Sequence, residues 1–257
     1  MKRFDGKTAL VTGGGSGIGY CVSTRLASEG AYVIIVDVDA VGANSTLEKI
    51  ISNGGAGAVL VCDISNRSQV TRVTKDIPDE CDIDILINNA GIAHVGNIEN
   101  TAEADFDRIY NVNVKGIYNV LSVIIPLMKQ RRKGVIVNMA SVASSVGIAD
   151  RFAYSMSKGA VMSMTYSIAK DYIDYGIRCN CVAPSRVHTP FVDNFIAKNY
   201  PDNAEEMFDK LSKSQPIGRM GTPEEIASAV AYLCSEEASF ITGTNFPVDG
   251  GFITLNS

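Results

Sequence analysis

The stretch KTALVTGGGSGIG, Lys7 to Gly19, decides the fold. Lys7–Thr12 is a short apolar run of strand length, and glycines follow it at once. A helical pattern then continues to Glu29, and Gly30 ends it. Glycines let a backbone approach a pyrophosphate. A helix N-terminus adds unpaired N–H groups and the positive end of its dipole. At the first strand–helix junction of a chain, this turn points to dinucleotide binding, with Gly13, Ser16, Gly17, Ile18 and Gly19 as candidate contacts. The spacing is Gly13-x-x-x-Gly17-x-Gly19, not the strict G-x-G-x-x-G.

Working outward, the same alternation repeats. AYVIIVD (Ala31–Asp37), GAVLVC (Gly57–Cys62), DILI (Asp84–Ile87), Val135–Met139 and Ile177–Val182 read as buried strands, with a last one near Phe246–Val248. Helical patterns lie between them, near Ala43–Ser52, Ser68–Asp76, Thr101–Arg132 (as one or two helices), Arg151–Tyr175 and Pro223–Cys234. Strands alternating with helices at this spacing imply βαβ units. The expectation is an α/β, Rossmann-type doubly wound domain with a parallel sheet of about seven strands and helices on both faces. At 257 residues the length suits one such domain over 1–257.

Asp37 ends the second strand, eighteen residues beyond Gly19. A carboxylate there accepts hydrogen bonds from both adenosine ribose hydroxyls and repels a 2′-phosphate. No arginine or lysine stands in the glycine loop or just after Asp37 to neutralise such a phosphate, so NAD is expected over NADP.

Composition narrows the class. A net charge of −5 argues against a nucleic-acid binder. The one basic run, KQRRK at Lys129–Lys133, falls where a helix should end and reads as solvated cations. No apolar run is long enough to span a membrane, and the N-terminus reads as lacking a signal peptide, so a cytoplasmic protein is expected. The six cysteines form no C-x-x-C pair and suggest reduced, mostly buried thiols; no metal site is expected.

The chemistry concentrates in SVASSVGIADRFAYSMSK, Ser141–Lys158. Tyr154 and Lys158 are four apart, so on a helix they share a face. A nearby ammonium favours the phenolate. Bringing a tyrosine from about pH 10 to about 7 takes roughly 4 kcal/mol of differential stabilisation, giving a general acid/base suited to neutral pH. Ser141 ends the run GVIVNMA and places a hydroxyl where a strand hands over to a loop.

Thr12-Gly13…Gly17-x-Gly19, Asp63, Asn88-Asn89-Ala90-Gly91, Asn113 in VNVKG, Ser141, Tyr154-x-x-x-Lys158, Pro184…Thr189-Pro190 and Val248-Asp249-Gly250-Gly251 together resemble the short-chain dehydrogenase/reductase family, in order and along essentially the whole chain. That resemblance implies Tyr154 as general acid/base and Lys158 as the residue that lowers its pKa and binds the nicotinamide ribose. It implies Ser141 as partner of the substrate oxygen and Asn113 as the residue positioning a water. Asp63 and Ile64 would flank the adenine, Asn89, Ala90 and Gly91 would line the cofactor cleft, and Val187 and Thr189 would contact the carboxamide and phosphates. A homotetramer is implied as well. Where the family usually has Pro-Gly, this chain has Pro184-Ser185.

Arg151 lies one helical turn before Tyr154, and Arg186 sits in the loop after the sixth strand. Arginine binds carboxylates through paired hydrogen bonds, so two of them near a hydride-transfer centre suggest a carboxylic acid substrate. Parts of the chain resemble 3-hydroxybutyrate dehydrogenases and bacterial sugar-acid dehydrogenases such as the 2-keto-3-deoxy-L-fuconate enzymes. The expected activity is NAD-dependent hydride transfer to or from a small hydroxy acid or sugar acid. A 3-oxoacyl-carrier-protein reductase, a neutral-sugar dehydrogenase or a non-enzymatic dinucleotide-binding regulator are the alternatives. Residues 191–214, mixing Phe191, Phe195, Tyr200 and Phe208 with charges, read as a substrate lid or a subunit-contact pair.

Overall fold

In the computed structural model, described for residues 2–77 and 81–255, seven parallel strands line up in the order β3-β2-β1-β4-β5-β6-β7. They are β1 (Thr8–Thr12), β2 (Tyr32–Asp37), β3 (Ala56–Val61), β4 (Ile83–Asn88), β5 (Gly134–Met139), β6 (Ile177–Pro184) and β7 (Asn245–Val248). The order reverses between β1 and β4. At such a switch point the two flanking connections leave in opposite directions and open a crevice at the carboxyl ends of the strands. Every residue expected to carry chemistry lies at or beyond those ends.

The strands are apolar on both faces because both are covered. Alternate residues of β1 and β2 divide between two cores. Val11, Ile35, Ile87 and Val182 face α1 (Gly17–Ser28), α2 (Ala40–Ser52) and α9 (Pro223–Cys234). Leu10, Ile34, Leu86 and Ile136 face α3 (Arg67–Val73), α5 (Ile117–Arg131) and α6 (Phe152–Tyr172). Cys179 and Cys181, two apart on β6, both enter the second core. All six cysteines are free thiols, and five of them are buried.

Three boundaries differ from the sequence reading. Helix α2 starts at Ala40 because the Asp39 carboxylate caps it, accepting from Val41 N at 3.0 Å. β6 continues to Pro184 because β7 pairs with its last residues, Pro184 beside Val248. The segment read as one or two helices is α4 (Glu103–Tyr110) running through a π-helical turn, Asn111–Gly116, into α5. The KQRRK run is also less solvated than expected. Arg131 reaches Asp82 and Asp84, Lys133 lies 3.6 Å from Asp84, and Lys129 and Arg132 both sit over the Tyr175 ring. Helices α7 (Pro190–Asn199) and α8 (Ala204–Lys213) form the segment read as a lid; the side chains of Phe191 and Phe195 lie outside the described residues. The last element among the described residues is α10 (Phe252–Leu255). Among the described residues no helix is long and apolar enough to cross a membrane.

Candidate active site

The glycine loop is fastened to the tip of β4. Thr12 Oγ1 accepts from the N–H groups of Asn89 and Ala90, both at 3.1 Å, and donates to the Ile87 carbonyl. Asn89 Nδ2 donates in return to the carbonyls of Thr12 (3.1 Å) and Gly13 (3.0 Å). Thr12 is a polar residue closing an apolar strand, and that signal in the sequence could have marked it. Gly13 adopts φ +65° with the Ala90 backbone against it, and Gly17 adopts φ +51° opposite the Thr189 side chain. Ser16 is the N-cap of α1 but its side chain makes no capping bond. The helix therefore keeps free N–H groups beside a glycine cradle, an arrangement that fits a pyrophosphate. Ile18 packs under the loop against the core.

Asp37 ends β2 against this loop. Its Oδ2 accepts from Gly15 N at 2.8 Å and its Oδ1 from Asp39 N at 3.0 Å. Two backbone donors hold the carboxylate at the rim where an adenosine ribose would lie. Asp63 turns the chain after β3 by accepting from the Ser65 amide and hydroxyl. Ile64 is buried against Gly116.

At the other half of the crevice, Ser141 caps the short turn after β5, accepting from Ala143 N at 3.2 Å. Lys158 is buried and donates to the Met139 carbonyl at 2.7 Å. Its ammonium lies 5.7 Å from the centre of the Tyr154 ring. Burial pushes the Lys158 pKa down to about 8. The Tyr154 phenol differs from expectation. Burial raises its pKa, and the groups pulling it back are the Ser141 hydroxyl and the Arg151 charge, not Lys158. The reason is geometric: four-residue spacing puts Lys158 on the right face, but the Met139 carbonyl takes the ammonium.

Asn113 lies in the π-helical turn and is fully buried. Its Oδ1 accepts from Ile92 N at 2.8 Å, while its Nδ2 donates to the Ile92 carbonyl and to Ser157 Oγ. A π turn widens the helix by one residue and swings a side chain out of register; such turns recur at functional sites. Here it carries Asn113 onto the loop after β4 and next to Gly91, which lies against both Asn113 and Lys158.

Arg151 and Arg186 lie within electrostatic reach of each other. Arg151 begins α6, tied to the loop after β4 by paired bonds, Gly96 N to Asp150 O (2.9 Å) and Phe152 N to Gly96 O (3.0 Å). It acts electrostatically on both Tyr154 and Arg186. Arg186 is half-buried, and desolvation with the Arg151 charge lowers its pKa. Among the described residues neither guanidinium has a carboxylate partner; Arg151 meets only the Asp150 carbonyl and Arg186 only Ser214 Oγ. Val187 is buried and bridges to Gly221, and Thr189 stands at the N-cap position of α7 with no side-chain capping bond. Of the two histidines, His94 lies 3.9 Å from Asp105 and His188 pairs with Asp193 at 2.7 Å.

Comparison with known proteins agrees with this geometry. A family model described as enoyl-(acyl carrier protein) reductase matches residues 13–253. Dehydrogenase/reductase SDR family member 6 of Aquarana catesbeiana is 39% identical over 98% of this chain and 99% of its own. 2-Keto-3-deoxy-L-fuconate dehydrogenase of Xanthomonas campestris is 34% identical over 97% of this chain and 81% of its own. The crystal structure of levodione reductase superposes with a TM-score of 0.94 at 33% identity, covering 98% of this chain and 100% of that one. The matched profile, the full-length relatives and the shared seven-stranded sheet establish that the chain is an oxidoreductase of the short-chain dehydrogenase/reductase family.

Proposed function

We propose that this chain is a cytoplasmic NAD-dependent dehydrogenase acting on the secondary alcohol, or the ketone, of a small hydroxy acid or sugar acid. The observation that carries the substrate class is the pair Arg151 and Arg186: Arg151 acts on Tyr154 and on Arg186, and among the described residues neither guanidinium has a carboxylate partner. Like charges held together in a partly dry cleft repel, and an anion between them relieves that repulsion. The dehydrogenase of Xanthomonas campestris, by its name, acts on a sugar acid, which supports the same class.

Bound nicotinamide supplies the hydride acceptor or donor. The protein does the rest. Tyr154 takes the hydroxyl proton during oxidation and returns it during reduction. Ser141 hydrogen-bonds the substrate oxygen and keeps it within reach of the phenol. Lys158 binds the nicotinamide ribose, and the Arg151 charge favours the phenolate. Asn113 holds the loop after β4 and positions the water that relays the proton. Gly13, Ser16, Gly17, Ile18 and Gly19 hold the pyrophosphate, Asp37 the adenosine ribose, and Asp63 and Ile64 the adenine. Asn89, Ala90 and Gly91 line the cleft, and Val187 and Thr189 close it over the carboxamide and phosphates. The whole chain works as one unit, with α7 and α8 as the lid. Exposed Tyr118 and Leu127 on α5, and Phe152 and Tyr166 on α6, suit those helices to subunit contacts of a homotetramer.

Two experiments test this reading. Charge-assisted hydrogen bonds contribute about 1.5–3 kcal/mol. Arg151→Ala and Arg186→Ala should therefore each lower kcat/KM for an acid substrate by about 10–100-fold, and Arg186→Ala should barely change turnover of a neutral secondary alcohol. Unchanged kcat/KM for the acid in both variants would remove the carboxylate site. Asp37→Ala should raise the KM for NAD and lower the NAD-to-NADP ratio of kcat/KM by about tenfold or more, since it deletes both the ribose acceptor and the charge that repels a 2′-phosphate. An unaltered ratio, measured by absorbance at 340 nm, would move cofactor choice elsewhere.

A further inference from the structure

Arg186 ends a hydrogen-bonded series whose other members carry no charge. Its Nε donates to Ser214 Oγ at 3.0 Å. The same Ser214 oxygen accepts from Gln215 Nε2 at 2.9 Å, and its proton goes to the Leu211 carbonyl at 2.6 Å. Gln215 is almost fully buried, and its Oε1 accepts from the Ser185 hydroxyl, which also lies 3.1 Å from the Asp249 carbonyl. The sense is set at Ser214, whose proton goes to the Leu211 carbonyl: a flipped Gln215 amide would set its oxygen against the Ser214 lone pairs. Ser185 and Arg186 leave the end of β6, whereas Ser214 and Gln215 follow α8, so the series also closes the two ends of the lid segment on each other.

We propose that Ser185, Gln215 and Ser214 are positioning residues that set the Arg186 guanidinium for a substrate carboxylate. This rests on the reading of Arg186 as a carboxylate ligand. An acidic partner would orient an arginine equally well but would neutralise it. A serine oxygen fixes Nε and leaves the charge whole, with the two terminal nitrogens free to meet both carboxylate oxygens side by side. Burial of Gln215 is consistent with this role, because a buried amide with both ends bonded is rigid where a surface serine alone is not. It also gives Ser185 a purpose at the position where the family pattern has glycine: a glycine there would leave Gln215 Oε1 without its donor.

The test compares a hydroxy acid with its own amide, the same molecule without the charge. The probe is whichever of 3-hydroxybutyrate, gluconate and fuconate is turned over best, paired with its amide, in wild type, S214A, S185G, S214T, R186A and the double variant R186A/S214A. S214A and S185G should each raise KM for the acid about 5–20-fold, leave its kcat within about twofold, and leave both constants for the amide unchanged. S214T, which keeps the hydroxyl, should restore the acid KM. In R186A, adding S214A should cost nothing further, because Ser214 acts only through the arginine. Equal losses on acid and amide, or a full additional loss in the double variant, would overturn the positioning role. If R186A raises the acid KM while S214A and S185G do not, the proposal fails and the carboxylate reading stands. If R186A itself leaves the acid KM unchanged, both fall. Melting temperatures of all variants separate a folding defect from a positioning one, and S214A and S185G lie on different segments, so one stable variant of the two suffices.

Discussion

Tyr154→Phe is expected to lower kcat by about 10²–10⁴-fold while NAD binding changes by no more than a few-fold. That range is what one positioned general acid/base contributes. The substitution keeps the ring and its packing and deletes only the hydroxyl, so a loss confined to kcat isolates proton transfer. The pH dependence gives a second readout. Burial raises the Tyr154 phenol, and the Ser141 hydroxyl and Arg151 charge oppose that rise without overcoming it in the cofactor-free chain. Alcohol oxidation requires the phenolate, so its kcat/KM should climb as pH rises towards the phenol pKa. Ketone reduction requires the phenol, so its kcat/KM should fall through the same range. Lys158, lowered to about 8 by burial, loses its charge at a lower pH than the phenol loses its proton. The two measurements are steady-state kcat over a pH series and a fluorescence titration of cofactor binding. A Tyr154→Phe variant within tenfold of wild-type kcat would assign the proton to another group.

How far the sequence carries this picture depends on the range of the interactions involved. Strand–helix alternation and the glycine loop are local, and the seven-stranded parallel sheet appears where they place it. Helical spacing correctly puts Tyr154 and Lys158 on one helix, α6. It is silent on where a buried ammonium finds its acceptor, and the Met139 carbonyl on β5 is nineteen residues away. The same spacing puts Arg151 near the phenol, but its pairing with Gly96, more than fifty residues upstream, is encoded by no local pattern. The sequence reading starts α2 at Ala43, just after Gly42, where the helix begins at Ala40. In the fold that glycine allows the first turn of α2 to lie on the glycine loop: a Cβ there would come within 2.9 Å of the Gly15 carbonyl. Ser185 stood out only as a departure from the family pattern. Its partner Gln215 is thirty residues on, and only the folded chain joins them.

The second large effect is expected at Gly19, and it follows from space alone. A Cβ on Gly19 would lie 1.9 Å from the Gly13 carbonyl oxygen and 2.6 Å from Asn89 Nδ2. Neither neighbour is free to yield. The Gly13 carbonyl accepts from Asn89, Asn89 also holds Thr12, and Thr12 in turn holds the Asn89 and Ala90 amides. Moving any one loosens the whole junction of β1, α1 and β4. Gly19→Ala should therefore lower stability by about 1–3 kcal/mol or more, the usual range for forced overpacking. At this chain length each kcal/mol corresponds to about 2–4 °C in Tm. NAD affinity should fall more steeply than stability, because the displaced atoms belong to the loop assigned to the pyrophosphate. Gly159 provides the contrast. It lies inside α6 with nothing within 4 Å of a Cβ and an ordinary helical backbone. There alanine relieves the entropic cost of glycine in a helix, so Gly159→Ala should raise stability by up to about 1 kcal/mol. Thermal melts with and without NAD compare the two. If both variants melt alike and bind NAD alike, the packing of Gly19 on Gly13 does not form the cofactor loop; if only Gly19→Ala loses the NAD-dependent gain in Tm, it does.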